Sequence, residues 1–173
     1  MRTIAHVSDL HFGRIDPAAS AALGAALRSL KPDLVIVSGD LTQRARSEQF
    51  REAAEFLAGL ATPVLAVPGN HDVSLWHALA RFLWPYHGYR RHIAVDLEPV
   101  HEDAEMIVLG LNSARSLAFY GGRLNSAQVG RAVQRLRDAG SERLKVVVSH
   151  HPLSAPATAG PQAEAVGRGA RID

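Results

Sequence analysis

Four short apolar runs, each ending in a cluster of carboxylate, carboxamide or imidazole groups, constrain this chain more than any other feature. Ile4 to Ser8 leads into Asp9-Leu10-His11, and Leu34 to Ser38 leads into Gly39-Asp40. Val64 to Pro68 leads into Gly69-Asn70-His71-Asp72, and Leu144 to Ser149 leads into His150-His151-Pro152. Runs this short and this rich in Val and Ile read as strands buried on both faces. Amphipathic helical stretches separate them, from Pro17 to Leu30 and from Ser47 to Leu60. Ser47 reads as the N-cap ahead of an apolar stripe of Phe50, Ala53, Ala54 and Leu57. Pro32-Asp33 and Thr62-Pro63 mark the turns back into strands. Alternation of strand and helix means parallel pairing, hence an α/β domain. Ligands of such sheets bind at the carboxyl ends of the strands, so motifs distant in sequence converge on one site.

Beyond Asp72 the pattern changes. Ser74 to Phe82 has helical spacing, and Pro85 ends it. His92 to Asp96 and Glu105 to Leu111 are strand-like and predict a hairpin or a second sheet. Gly121 to Leu124 is a turn, and Asn125 caps a helix running to about Asp138 with Gly140 as its stop. Residues 154–173 are dominated by Ala, Gly and Pro, with only Val166 and Ile172 to anchor them, and read as a loop or a frayed end. The expected division is therefore a domain over 1–153 and a tail over 154–173.

Composition excludes several classes. A chain of 173 residues with 47% hydrophobic content is long enough for one domain with a real core. There is no cysteine, so disulfides and thiolate metal sites are excluded, and nothing requires an oxidising compartment. The first strand follows the N-terminus directly, which argues against a cleaved signal peptide and makes the cytoplasm the expected location. No apolar stretch approaches the ~20 residues of a membrane span. The net charge is +2, from 19 basic and 17 acidic residues, and the Arg90-Arg91-His92 cluster makes no nucleic-acid-binding stripe.

The donor types set the chemistry. Oxygen and nitrogen ligands without thiolate suit two divalent or trivalent metal ions that share a carboxylate. Asp9 and His11, two apart on an extended segment, project to the same side and grip one ion. Asp40 offers two oxygens to bridge, while Asn70 and His150 serve the second ion. Two ions about 3.5–4 Å apart clamp a phosphoryl oxygen and generate a hydroxide nucleophile at neutral pH. His71 sits beside them, with Asp72 a candidate orienting partner, and protonates a departing alkoxide. Gly39 and Gly69 permit the tight turns that bring backbone close to the ligand. Taken singly, Asp9, Asp40 and Asn70 are ordinary turn residues. His6 reads as structural, His77, His87, His92 and His101 show no ligand spacing, and His151 is ambiguous beside His150. It is the joint occurrence of four ordered motifs at strand ends that carries the site.

With those residues in order, the sequence resembles the calcineurin-like metallophosphoesterase superfamily, whose pattern runs D-x-H, G-D, G-N-H-D, H-x-P and finally G-H-x-H. The resemblance extends from Asp9 to Pro152. Gly39-Asp40-Leu41-Thr42, Leu111-Asn112-Ser113, Gly122-Arg123-Leu124 and Gln128 are similar to its bacterial branch of cyclic-nucleotide and glycerophosphodiester phosphodiesterases. It implies a two-sheet β-sandwich core flanked by helices in α-β-β-α layers. It also implies one metal on Asp9 and His11, a bridge at Asp40, a second metal on Asn70 and His150, and His71 acting on the leaving group. Position 150 is favoured over 151 because the family's ligand lies two places before the proline. Asn112 and His151 are left as candidates to support the ligands or touch substrate. The expected activity is hydrolysis of a phosphodiester P–O bond, with Mn, Fe or Zn as the metal. The closing G-H-x-H is absent, since His150 and His151 are the only histidines after His101. A truncated chain, a gene fragment and a domain completed elsewhere all remain open. A non-catalytic module that binds metal weakly is the alternative function, and an unpaired sheet edge would invite self-association.

Overall fold

Branched β-carbons favour extended backbone, and all four runs form strands in the computed structural model, which describes residues 2–74, 82–115 and 121–153. β1 (Ile4–Val7), β2 (Leu34–Ser38) and β3 (Val64–Val67) make one parallel sheet in the order β1-β2-β3. Helix α1 (Pro17–Leu30) joins the first two strands and α2 (Ser47–Ala58) the next two. Asp16 caps α1 by accepting from Ala18 N at 2.8 Å, and Pro17 occupies the first turn, where its missing N–H leaves nothing unmet. The cap of α2 differs from expectation. Arg46 is the N-cap, and Gln49 Oε1 reaches back to the N–H groups of Arg44 (2.9 Å) and Arg46 (3.5 Å). Ser47 is already helical and its Oγ meets His92 Nε2 at 2.9 Å.

His92 closes a short helix, α3 (His87–His92), which corrects the expected strand over 92–96. Spacing explains the helix. Tyr86, Tyr89 and Ile93 recur at helical intervals and pack against the same core. Tyr89 is wholly buried, meets Phe50 edge-on at 6.3 Å and donates to the Ala66 carbonyl at 2.8 Å. Val95, which a half-buried strand would hide, is 78% exposed. The hairpin forms further on, between β4 (Val100–Glu102) and β5 (Met106–Leu111). Helix α4 (Ser126–Asp138) then leads to β6 (Leu144–Ser149), which pairs parallel with β5. Asn125 and Gln128 cap α4 reciprocally, each side-chain oxygen accepting the other's N–H at 2.9 Å, and Gly140 follows with φ +76°. The expected helix over 74–82 falls largely, and the tail over 154–173 wholly, outside the described residues.

Side-chain alternation assigns the layers. Val35 and Val37 of β2 face α1 and α2 with Leu27, Phe50, Ala53 and Leu57. Leu34 and Ile36 face the second sheet, meeting Leu65, Val67, Met106, Val108 and Val148. Ile107, Leu109 and Leu111 face α4 through Leu124 and Ala132. The order is helices, sheet, sheet, helix. β2 is buried on both faces as expected, but β1 and β6 are not: His6 is exposed on β1, and Leu144 is 56% and Val147 37% exposed on β6 at the edge of its sheet. At the end of the strands opposite the motifs, Arg2 ties the sheets together. Its guanidinium meets Asp33 at 3.0 Å, Asp103 at 3.1 Å and Glu105 at 3.3 Å.

Candidate metal centre

β1, β2, β3 and β6 all run parallel to a neighbour, so their carboxyl ends bring the motifs together. Asp9 and His11 lie beyond β1, and neither is extended. Their φ angles are +56° and +48°, and Asp40 has +53°. This corrects the extended D-x-H segment, and its reason lies in the neighbouring loop. Asp9 N donates to Gly39 O (3.1 Å), His11 N to Asp40 O (3.0 Å) and Phe12 N to Leu41 O (2.8 Å). The chain curls through left-handed turns while staying pinned to the β2 loop, and so folds both side chains back over the sheet end. Left-handed backbone is unfavourable for residues with a Cβ and persists only where the surroundings enforce it.

Asp9, His11 and Asp40 each offer a ligand atom, all within 4.8 Å of one another. His11 Nε2 is 3.7 Å from Asp9 Oδ1 and 3.9 Å from Asp40 Oδ2. These spacings are too long for hydrogen bonds and right for groups that share an ion. From the other sheet, His150 Nε2 comes within 3.5 Å of Asp40 Oδ2 and 3.0 Å of Asn70 Oδ1. His150 Nδ1 donates to the Ser38 carbonyl at 2.8 Å, which in the neutral ring leaves the Nε2 lone pair facing Asp40 and Asn70. A backbone carbonyl holding the far nitrogen is how metal-binding imidazoles are oriented. His11 Nδ1 is buried without a hydrogen-bond partner among the described residues. Two carboxylates, a carboxamide and two imidazoles thus converge with no cationic side chain among them, and a metal ion fits this donor set.

Glycine makes the approach possible. A Cβ at Gly69 would lie 2.1 Å from Asp40 Oδ1, and one at Gly39 (φ +92°) would lie 2.6 Å from His150 Nδ1.

His71 stands beside the cluster, its ring edge-on to His11 with centroids 4.9 Å apart. Its Nδ1 donates to the Gln43 carbonyl at 2.8 Å. Asp72 does not orient it, contrary to expectation. The Asp72 carboxylate accepts instead from Leu41 N (3.1 Å), Thr42 N (2.9 Å), Thr42 Oγ1 (3.0 Å) and Gly69 N (2.9 Å). Burial pushes its carboxyl up to about 6, against the pull of the Gly69, Thr42 and Leu41 amides. His151 turns away from Asp40 into a buried niche, where its Nδ1 pairs with Ser113 Oγ at 2.9 Å and its ring meets that of His150 edge-on at 4.8 Å. Burial, then the neighbouring His150, depresses its imidazole to about 4. Gly122 leaves room for that ring, since a Cβ there would come within 2.4 Å of it. Asn112 accepts from Ala114 N at 3.1 Å and lines a polar cleft with Glu98, Gln128 and Arg131. No described contact joins it to the metal cluster. Ser38 and Gln43 escaped the sequence reading because each acts through a backbone carbonyl, which no side chain advertises.

A two-sheet α/β domain with these donors converging at its strand ends has the architecture of a metallophosphoesterase. The chain belongs to the calcineurin-like phosphoesterase family, whose sequence model matches residues 2–170. It is 32% identical over 162 residues to glycerophosphodiester phosphodiesterase GpdQ of Enterobacter lignolyticus, covering 87% of this chain and 57% of that protein. A probable cyclic nucleotide phosphodiesterase of Rhodopseudomonas palustris is 32% identical over 160 residues, 84% of this chain and 56% of that one. The chain therefore spans little more than half the length of these relatives. Among solved structures, a dimetal phosphatase from Danio rerio superposes with a TM-score of 0.64 over 95% of this chain and 74% of that one, at 14% identity. That likeness is one of fold.

Proposed function

We propose that this chain carries the metal centre of a phosphodiesterase acting on a small phosphodiester. One observation carries the reading. Asp40 Oδ2 stands 3.9 Å from His11 Nε2 and 3.5 Å from His150 Nε2, so one carboxylate faces imidazoles delivered by two different sheets. That is the donor arrangement for two ions with a shared bridge. Asp9, His11 and Asp40 would hold one ion, and Asp40, Asn70 and His150 the other, with Mn, Fe or Zn compatible. When bound, the ions supply Lewis-acid polarisation of the phosphoryl group and a nucleophile competent at neutral pH. His71, anchored at Nδ1 by the Gln43 carbonyl, is free to present a protonated Nε2 to the departing alkoxide. Relatives described as glycerophosphodiester and cyclic nucleotide phosphodiesterases support a small diester as substrate.

The second reading is a weak metal-binding or interaction module, since the described residues bring three protein donors to each ion. Elemental analysis beside hydrolysis of bis(p-nitrophenyl) phosphate separates the two. Bound metal with metal-dependent turnover is expected, bound metal without turnover supports a metal-binding module, and no metal under saturating Mn²⁺ refutes the metal centre and with it the phosphodiesterase reading. The same proposal assigns residues 1–153 to the domain and the cytoplasm as the location. No described helix is long and apolar enough to cross a membrane. Self-association through the β6 edge belongs to the proposal too, supported by the exposure of Leu144 and Val147.

A further inference from the structure

Asp72 is a charged side chain only 1% exposed, and the chemistry assigned to His71 does not use it. Its four hydrogen bonds have a pattern. Leu41 N, Thr42 N and Thr42 Oγ1 belong to the loop after β2, whereas Gly69 N belongs to the turn after β3. A fifth bond crosses in the opposite direction, from His71 N to Asp40 Oδ1 at 2.8 Å. Asp40 and Asn70, donors from those two segments, are thereby fixed relative to each other from both sides. Asp40 also sits at φ +53°, a conformation the neighbouring loops must enforce. We infer that Asp72 is a positioning residue that locks the Asp40 loop to the Asn70 turn and sets the spacing of the metal donors before any ion arrives. A carboxylate suits the task because it has four lone pairs and no proton to present, and here it meets four donors. The inference rests on the metal-centre reading above, but its first test is made on metal-free protein and is decided there.

The Asp72→Asn variant keeps the shape and replaces one acceptor oxygen by an NH₂ that faces backbone N–H groups. Amide hydrogen exchange of the metal-free 173-residue chain, followed by NMR, should show Leu41, Thr42 and Gly69 exchanging at least ~10-fold faster, as a broken buried hydrogen bond requires. Amides within β2 and β5 should keep their protection. Affinity for Mn²⁺ should fall about 10- to 100-fold, the usual effect of losing a group that orients metal ligands. The rate ratio between diesters with good and poor leaving groups should match that of the unaltered protein, because His71 keeps its Gln43 anchor. Thr42→Val removes the Oγ1 donor to Asp72 along with the Oγ1 contacts to the His71 carbonyl (3.2 Å) and Ala45 N (3.1 Å). It should accelerate Leu41 and Gly69, amides that Thr42 Oγ1 does not touch, to a smaller degree, and that decides the matter if Asp72→Asn does not fold. Unchanged exchange at those three amides would overturn the inference. So would a variant that binds Mn²⁺ normally and loses activity only toward poor leaving groups, since Asp72 would then act on His71. If the unaltered chain binds no Mn²⁺, the metal reading fails while the amide result still judges the lock.

Discussion

Replacing Gly69 by alanine tests the geometry of the centre with one methyl group. Gly69 has φ −101° and ψ −176°, extended backbone that alanine adopts freely, so the cost is contact and not conformation. The added Cβ would lie 2.1 Å from Asp40 Oδ1, 2.3 Å from Asp40 N and 2.8 Å from Asp40 Cγ. Restoring an ordinary carbon contact requires the two segments to part by about 1 Å. The carboxylate cannot simply rotate aside, because His71 N holds Oδ1 at 2.8 Å and Asp40 N is backbone. Overpacking of this kind costs about 1–3 kcal/mol. In a domain of this size that lowers Tm by roughly 2–4 °C per kcal/mol, so a fall of about 5 °C is expected. The same displacement moves Asp40 away from His150 and Asn70, and a 1 Å misplacement is worth about 10²-fold in rate. The assay is a thermal melt of metal-free protein beside a Mn²⁺ titration by calorimetry. Gly69→Ala with an unchanged Tm and unweakened Mn²⁺ binding would refute the close approach of the β2 and β3 loops on which the site is built.

Asp40→Ala should strip both ions, whereas Asn70→Ala should weaken one, and equal losses by elemental analysis would count against the bridge. His71→Ala should keep its metal yet slow diesters with poor leaving groups by about 10²–10⁴-fold and p-nitrophenyl esters much less; a uniform loss across leaving groups speaks against a proton donor. Val147→Lys places a charge on the exposed β6 edge, and sedimentation velocity should show less self-association than the unaltered chain, with no difference refuting edge pairing. Asp33 is held below the usual carboxylate range by the Thr3 N–H and then by Arg2, and Asp103 by the Glu105 and Met106 amides. A carboxyl whose folded pKa is depressed contributes stability above its unfolded value near ~3.9, lost as pH falls through the folded one. Arg2→Ala should therefore flatten the decline in Tm below pH ~4 and leave its slope at pH 6–8 alone, and an unchanged acid limb would show the Arg2 link to be idle.

The strands and their terminal motifs were legible because apolar period is a local property. Leu34 to Ser38 and Leu144 to Ser149 form strands at the expected bounds, and Pro17 to Leu30 forms the expected helix behind its Asp16 cap. The donor set was legible for the same reason, since each motif directly follows its strand. What the local pattern could not reveal was which groups meet once loops are packed. His92 to Asp96 alternates like a strand, yet the core claims Tyr89 and turns the segment before it into a helix. Ser47 looks like a cap, but it lies inside the helix behind Arg46, where Gln49 accepts from the Arg44 and Arg46 amides and Ser47 Oγ meets His92. Asp72 follows His71 in sequence, yet four donors from the β2 loop and Gly69 take its oxygens. Asp9, His11 and Asp40 carry no sign of left-handed backbone, because amides and carbonyls of the neighbouring loop impose it. Sequence alone determined which chemical groups stand at the strand ends; tertiary structure decided their partners, because hydrogen-bond partners are chosen by proximity in space and not by order along the chain.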